Sequence, residues 1–153
     1  MNEHYLKLQP ILIVDDNEDD YEAIARAFKK VGLVHPVSLC TTGQGAMDFL
    51  KQEGSFKQAG KAERPVLIML DLNMPGMDGL QVLQRIRHDA ALRQIPVVIW
   101  TTSSNEKDID ACYQMGANAY MQKPVIFEEL IESVKRLKEY WFETVLLPAE
   151  GGI

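Results

Sequence analysis

The segment VLIMLDLNMPGMDG, at residues 66–79, carries the strongest structural pattern in the chain. Its first five residues form an unbroken apolar run, which is typical of a strand buried on both faces of a parallel sheet. Asp71 follows this run directly, and Pro75, Gly76 and Gly79 then indicate a tight turn that leads into a helix. The segment therefore predicts a strand, a turn and a helix, with a carboxylate at the carboxyl end of the strand.

The same alternation continues on both sides of this unit. Short apolar runs predict four further strands, at residues 11–14, 37–40, 95–100 and 119–122. Apolar residues at helical spacing predict a helix after each strand, around residues 21–31, 46–50, 80–86, 109–113 and 127–141. Such an array folds as a parallel sheet with right-handed crossovers and helices on both faces. The polar segment from Glu53 to Arg64 predicts a long surface loop.

The length of 153 residues fits one domain, and we expect an arm at residues 1–9, the domain at 10–140 and a tail at 141–153. A net charge of −6 argues against nucleic-acid binding, which needs a basic surface. The chain shows neither an apolar run long enough to span a membrane nor a secretion signal, so a cytoplasmic protein without membrane contact is expected. Cys40 and Cys112 have no pairing motif and are interpreted as core residues.

Polar side chains follow four of the five predicted strands, and they are Asp15, Asp16, Asp71, Thr101 and Lys123. Each alone is explained by a cap or a turn. However, the carboxyl ends of parallel strands meet at one edge of the sheet, where such folds bind ligands. Three carboxylates there repel one another and require cations, which Lys123 and a hard divalent ion such as Mg²⁺ can supply. A carboxylate nucleophile, cations and a hydroxyl donor make a phosphoryl-transfer site, so the residues suggest an aspartyl-phosphate.

Four segments in this order resemble the signatures of CheY-like response-regulator receiver domains. They are ILIVDDNEDD at 11–20, LIMLDLNMPGMDG at 67–79, VVIWTTSS at 97–104 and AYMQKPV at 119–125. The resemblance spans about residues 10–137, and LDLNMPGMDG is its most specific part. It implies a flavodoxin-like, doubly wound α/β fold: a five-stranded parallel sheet of strand order 2-1-3-4-5, with helices on both faces and a C-terminal extension.

The resemblance also implies roles for the residues at the strand ends. Asp71 is expected to be the phosphoacceptor. Asp15, Asp16 and Asp71 are expected to hold Mg²⁺ together with the backbone carbonyl of Asn73, which also lies beside the phosphoryl group. Lys123 is expected to pair with the phosphoryl oxygens.

A second set of implied roles concerns the response to phosphorylation. Thr101 is expected to act with Lys123 and to be the switch hydroxyl that bonds the phosphoryl group, and the backbone N–H of Thr102 lies nearby. Tyr120 is expected to rotate inward when Thr101 is drawn toward the phosphoryl group. A cis peptide before Pro124 is expected to aim the lysine.

The implied function is that of a two-component response regulator. It takes a phosphoryl group from the phosphohistidine of a sensor histidine kinase, catalyses its own phosphorylation and dephosphorylation, and signals by a change of shape, so it is not an enzyme with a separate substrate. A phosphorelay intermediate and a pseudo-receiver that only binds partners remain alternatives. A haloacid-dehalogenase-type phosphatase is disfavoured because Asn73 stands where it needs a second aspartate. A flavodoxin-like electron carrier is disfavoured because the first strand leads to acids instead of a phosphate loop.

The chain continues past the last helix as the aromatic segment EYWFETVLLP at residues 139–148. This segment either packs on its own domain or contacts a second copy, and aromatic surfaces favour a contact. We therefore expect a homodimer through the last helix and the tail. The loop before the third strand and this tail also resemble single-domain regulators paired with bacterial phytochrome-type histidine kinases.

Overall fold

The structure of the chain is a computed structural model that describes residues 8–53 and 64–148. The predicted loop at 53–64 therefore lies almost wholly outside the described residues, as do most of the arm and the end of the tail. The strands are β1 Ile11–Val14, β2 Val37–Cys40, β3 Leu67–Leu70, β4 Val97–Thr101 and β5 Ala119–Gln122. The helices are α1 Glu18–Lys30, α2 Gly43–Lys51, α3 Gly79–His88, α4 Glu106–Gln114 and α5 Phe127–Lys138, and α5 continues into a π-helical turn, Glu139–Thr144. No helix within the described ranges has both the length and the apolar character that a membrane crossing requires.

All five strands are parallel and lie in the order β2-β1-β3-β4-β5, which confirms the predicted fold class. The register places Val14 opposite Leu70. Asp15 and Asp71 therefore leave neighbouring strands at the same level, and the Asp71 amide donates to the Val14 carbonyl at 2.9 Å. The topology alone thus brings two of the predicted site residues side by side.

The sheet is buried between two helical layers, because successive side chains of a strand point to opposite faces. In β1, Leu12 and Val14 pack toward α2, α3 and α4, whereas Ile11 and Ile13 pack toward α1 and α5. All four are fully buried. Burying an aliphatic side chain of this size stabilises the folded state by roughly 1.5–3 kcal/mol. The two apolar layers hold the sheet rigidly, so its carboxyl edge is a stable platform.

Four strands have the predicted bounds or nearly so, but β4 is displaced toward the site. It was predicted at residues 95–100 and runs from Val97 to Thr101. Pro96 has no backbone N–H to donate to a ladder, so regular pairing begins after it. Thr101 is consequently the last residue of the strand and is fully buried.

The C-terminal tail packs partly on its own domain. Trp141 and Phe142 are partly buried against the layer formed by α1 and α5. The Phe142 ring lies 4.6 Å from the ring of His35, whose Nδ1 lies 2.8 Å from the Gln9 carbonyl oxygen. Leu146, by contrast, is 99% exposed.

Candidate functional site

The three predicted carboxylates converge at the carboxyl edge of the sheet. One carboxylate oxygen from each of Asp15, Asp16 and Asp71 lies within 4.8 Å of the others. Asp15 and Asp71 are buried, at 2% and 7% exposure, and Asp16 is exposed. The cluster is therefore a pocket with two carboxylates in its floor and one at its rim.

Helix starts fix the loops that carry these carboxylates. Asn17 is the N-cap of α1 and its backbone N–H donates to Asp15 Oδ1 at 3.0 Å. After β3, the chain turns through Gly76, whose φ of +74° lies in the left-handed region that glycine adopts at little cost. Asp78 then caps α3 in a reciprocal capping box with Gln81. Both acidic loops are thus held at their ends by hydrogen bonds.

Lys123 bridges the carboxylates. Its Nζ donates to Asp15 Oδ2 at 2.7 Å, to Asp20 Oδ2 at 3.0 Å and to Asp71 Oδ2 at 3.2 Å. Its backbone N–H donates to the Thr101 carbonyl at 2.7 Å, which extends the β4–β5 pairing by one residue and fixes where the side chain starts. One ammonium therefore compensates several carboxylates at once.

Burial and charge act in opposite directions on these groups. Burial alone would lower the pKa of Lys123, but its hydrogen bonds to Asp15 and Asp20 and the charge of Asp71 outweigh burial, so its pKa lies above the ordinary value. Burial is the largest effect on Asp15 and raises its pKa, even though Lys123 and the Asn17 N–H both act to lower it. The ammonium is thus firmly protonated, and its charge does not fully offset the burial of the Asp15 carboxylate.

This residual demand fits a divalent cation. Hard divalent ions bind carboxylate oxygens and keep several waters, and Asp15, Asp16 and Asp71 present three such oxygens around one point. The exposed position of Asp16 leaves the pocket open to an entering ion. The arrangement therefore supports divalent-metal binding, as the sequence predicts.

Asp20 is a site residue that sequence reasoning missed. It lies in the first turn of α1 and shares the Lys123 ammonium with Asp15 and Asp71. The sequence shows three acids in that turn, Glu18, Asp19 and Asp20, and only the rotation of the helix decides which of them faces the lysine. Their position one turn after the first strand was the available signal.

The predicted cis peptide before Pro124 is wrong, because the described residues contain no cis peptide bond. The trans form is favoured by roughly 0.5–1 kcal/mol at an X–Pro bond. Lys123 reaches its three carboxylate partners with this trans peptide in place, so no isomer change is needed to aim it.

The remaining predicted residues lie around the pocket. Thr101 is buried, and its Oγ1 accepts a long hydrogen bond of 3.5 Å from the Ser103 N–H. Thr102 is exposed, and its carbonyl accepts from Gln122 Nε2. Asn73 is exposed and its N–H points to Asp71 Oδ1 at 3.4 Å. Of these groups, the Asn73 N–H contacts the Asp71 carboxylate.

Tyr120 is half-buried against the core layer that includes α4. Its hydroxyl donates to the Ser103 carbonyl at 2.9 Å, and its backbone N–H donates to Tyr113 Oη at 3.2 Å. The ring therefore already lies inward, in contact with the loop that follows Thr101.

Fold and site together define a class of protein. A parallel sheet of order 2-1-3-4-5 carries three carboxylates, a shared lysine and a buried threonine at its carboxyl edge. This is a doubly wound α/β domain with an acidic site at the carboxyl edge of its sheet, where such folds bind ligands, and the carboxylates suit a divalent cation.

Known proteins place the chain within that class. Residues 11–135 match the response regulator receiver domain family. Response regulator Rcp1 of Synechocystis sp. is 38% identical over 139 residues, which cover 91% of this chain and 92% of Rcp1. The phosphorylated cyanobacterial phytochrome response regulator RcpA has a TM-score of 0.85 at 39% identity, covering 93% of this chain and 99% of RcpA. The Mn²⁺-bound form of Rcp1 has a TM-score of 0.83 at 38% identity, covering 92% and 99%.

The chain therefore belongs to the response regulator receiver domain family and is a response regulator of two-component signalling. Receiver domains of this family pair with sensor kinases.

Proposed function

We propose that Asp71 accepts a phosphoryl group from the phosphohistidine of a sensor histidine kinase in a Mg²⁺-dependent reaction. One observation carries this proposal: the buried Asp71 carboxylate lies 3.2 Å from the Lys123 ammonium, in one pocket with Asp15 and Asp16. A carboxylate placed there has a cation beside it to meet the phosphoryl oxygens. The likeness to a response regulator whose structure is that of the phosphorylated form supports the proposal.

The chemistry requires little beyond positioning. An oxygen of the Asp71 carboxylate attacks phosphorus in line with the leaving imidazole, so the O–P bond forms as the N–P bond breaks, and the imidazole takes up a proton. Lys123 then exchanges carboxylate partners for a phosphoryl oxygen and keeps its charge paired. Mg²⁺ held by Asp15, Asp16, Asp71 and the Asn73 carbonyl would supply further positive charge to the phosphoryl oxygens.

The response to phosphorylation runs through Thr101. Phosphorylation adds roughly −1.5 to −2 charges, and the Thr101 hydroxyl, with the Thr102 N–H, turns to meet them. Ser103 transmits the movement, because its N–H contacts Thr101 and its carbonyl holds Tyr120. Hydrolysis of the aspartyl-phosphate by water in the same pocket restores Asp71, so the protein catalyses its own cycle and turns over no separate substrate.

A protein donor fits the rim of the pocket better than a small molecule. Val125 is 99% exposed and Ile126 is more than half exposed, and both line a cavity of about 210 Å³ that Lys123 and Asp20 also border. Exposed apolar side chains beside a charged site are typical of protein contacts. Because RcpA is a phytochrome response regulator, the donor we propose is a phytochrome-type histidine kinase.

Phosphotransfer from a panel of purified, radiolabelled histidine kinases tests the proposal. Wild-type protein is expected to take up label that is lost in hot acid or with hydroxylamine, and only when Mg²⁺ is present. Asp71→Asn should take up none. Asp110→Asn, an exposed acid on α4, is the matched control and should be labelled like the wild type. Full labelling of Asp71→Asn would contradict the acceptor assignment.

The same assay separates the alternatives. A pseudo-receiver would take no label from any kinase. The presence in this chain of all five site residues, Asp15, Asp16, Asp71, Thr101 and Lys123, argues against that alternative. A phosphorelay intermediate would pass its label to a second histidine-containing protein, whereas a terminal regulator would release it as inorganic phosphate. A phosphatase of the haloacid-dehalogenase type would turn over repeatedly, but Asn73 offers an amide where that chemistry needs a carboxylate.

We also propose a homodimer through the last helix, α5, and the tail. The domain is taken to end at residue 140 and the tail to begin at residue 141. Trp141 and Phe142 pack on their own domain, so the surface left for a second copy is formed by Tyr140 and Leu146, which are exposed. Sedimentation should show a dimer that Leu146→Glu dissociates. Val125→Glu, equally exposed at the opposite end of α5, is the control; a dimer unchanged by Leu146→Glu and by removal of residues 139–153 would exclude the tail from the interface.

A further inference from the structure

Ser103 contacts Thr101 at the end of β4 and also residues of two neighbouring elements, α4 and β5. Its N–H points to Thr101 Oγ1 at 3.5 Å, and its carbonyl accepts from the Tyr120 hydroxyl at 2.9 Å. Its own hydroxyl donates to Asp108 Oδ2 at 2.7 Å and accepts from the Asn105 N–H at 3.2 Å. Every polar atom of Ser103 is therefore used: the N–H and the carbonyl contact one residue each, and the hydroxyl contacts two.

The contact with Asp108 is the shortest of these and the one that involves a charge. A hydroxyl that donates to an ionised carboxylate forms a stronger bond than a neutral pair. Asp108 lies in the first turn of α4, whose N-cap is Asn105. The carboxylate and the helix start thus hold the Ser103 side chain from two sides, which fixes the orientation of the peptide that follows.

That peptide carries the carbonyl to which Tyr120 is bonded. The hydroxyl of Tyr120 remains protonated and able to donate, because burial raises its pKa above the ordinary value and the negative charge of Asp108 adds to the rise. A second link runs from the same helix, since Tyr113 Oη on α4 accepts from the Tyr120 N–H. The inward ring of Tyr120 therefore depends on how α4 and the β4–α4 loop are held.

We propose that Asp108 is a positioning residue of the switch: by holding the Ser103 hydroxyl it fixes the Ser103 carbonyl, and through it the inward position of Tyr120. The second half of this inference, an effect on the lifetime of phosphorylated Asp71, rests on the proposed function. With Tyr120 held inward, the ring covers the loop next to Thr101 and limits water around the aspartyl-phosphate.

The first test needs no phosphorylation. ¹⁹F NMR of protein labelled with 3-fluorotyrosine reports the environment of Tyr120, whose resonance is assigned by its loss in Tyr120→Phe. Asp108→Ala is expected to move this resonance toward the solvent-exposed position and to increase its H₂O/D₂O isotope shift. Ser103→Ala removes the same hydrogen bond from the other side and should give the same change, and the double variant should add nothing further.

Two variants on α4 serve as controls. Asp108→Asn keeps an oxygen that accepts from Ser103 and should retain most of the wild-type resonance. Asp110→Ala removes an exposed acid from the same helix and should leave the resonance unchanged. An unchanged Tyr120 resonance in both Asp108→Ala and Ser103→Ala would overturn the proposal, as would equal shifts in Asp108→Ala and Asp110→Ala.

The second test follows the decay of labelled phosphoprotein. Loss of one hydrogen bond changes an equilibrium by about fivefold, so Asp108→Ala and Ser103→Ala should each shorten the phosphate lifetime by up to that factor, with Asp110→Ala as the control. An unchanged lifetime with a shifted Tyr120 resonance would contradict the link to phosphate and leave the positioning role standing. Failure of the wild type to take up phosphate would overturn the proposed function instead, and the NMR result would be unaffected.

Discussion

Gly79 lies directly against the backbone of Asp71. A Cβ at position 79 would overlap the Asp71 carbonyl oxygen and stand 2.8 Å from the Leu72 Cα. The Gly79 N–H also donates to the Leu72 carbonyl at 3.0 Å, so the two segments cannot move apart without losing that bond. The loop that carries the Asp71 carboxylate therefore closes only with glycine at position 79.

Gly79→Ala is accordingly expected to destabilise the fold by about 3 kcal/mol, the upper part of the usual range for overpacking, because the obstructing atoms are backbone. The displaced loop should also reduce phosphate uptake. Urea denaturation measures the first effect. Gly45→Ala is the control: its Cβ would meet only the hydroxyl of Thr42, the N-cap of α2, so the cost is limited to about 1 kcal/mol for that cap bond. Equal stability of the two variants would contradict the close contact at Gly79.

Lys123→Met is expected to lower the free energy of unfolding at pH 7 by about 3 kcal/mol, as removal of one partner of a buried ion pair usually does. The buried carboxylates of Asp15 and Asp71 would then lack their cation, and the folded-state pKa of Asp15, which burial already raises, would rise further. A group whose pKa is raised in the folded state stabilises the protein at low pH. This stabilisation is lost as the pH rises through the raised pKa. The deficit should therefore shrink between pH 7 and pH 5 and also on addition of Mg²⁺. Lys107→Met, on the exposed face of α4, should show neither effect.

Asp15→Asn is expected to stabilise the protein at neutral pH. Burial raises the pKa of Asp15 in the folded state, so the ionised side chain costs stability above that pKa, and this cost is absent below the unfolded value of 3.8. The gain should be present at pH 7 and vanish below about pH 4. Mg²⁺, which should raise the thermal midpoint of the wild type, should no longer do so in the variant. A variant that is less stable than the wild type at pH 7 would show that the bond to Lys123 outweighs burial.

Arg87 joins three segments far from the acidic pocket. Its guanidinium donates to the backbone carbonyls of Gly116, Arg93 and Ile95 and to Asn118 Oδ1, and burial lowers its pKa. Arg87→Met should cost about 3 kcal/mol of stability, because several acceptors lose a charged donor at once. Arg85→Met, exposed on the same helix, should change stability by less than about 0.5 kcal/mol. Denaturant midpoints compare the two.

The elements of the fold could be predicted from the sequence because short apolar runs are bounded by polar residues or by proline. Strands at 11–14, 37–40 and 119–122 have the predicted bounds. The bounds of β4 differ from the prediction. The apolar run begins at Ile95, but Pro96 has no N–H for strand pairing, and a pattern of apolar residues does not show this. The last helix was predicted to reach 141, and it changes to a π-helical turn after Lys138. Apolar spacing alone does not distinguish these two forms.

The convergence of Asp15, Asp16, Asp71 and Lys123 was predictable, because all of them follow parallel strands. Contacts that depend on helix rotation and loop conformation were not predictable. Asp20 reaches Lys123 only because of the rotation of α1, and Asp108 reaches Ser103 only because of the path of the β4–α4 loop. The peptide before Pro124 was predicted by resemblance and is trans.

The contact between the Phe142 and His35 rings lies far from the acidic pocket. α5 begins beside the acidic pocket and runs about 18 Å back along the sheet, and His35 precedes β2, so this ring pair lies at the opposite pole from Asp71. A protein bound at that end of the domain leaves the end that carries Asp71 accessible. The homodimer proposed above would therefore not compete with a kinase for access to Asp71, and one molecule would accommodate both partners at once.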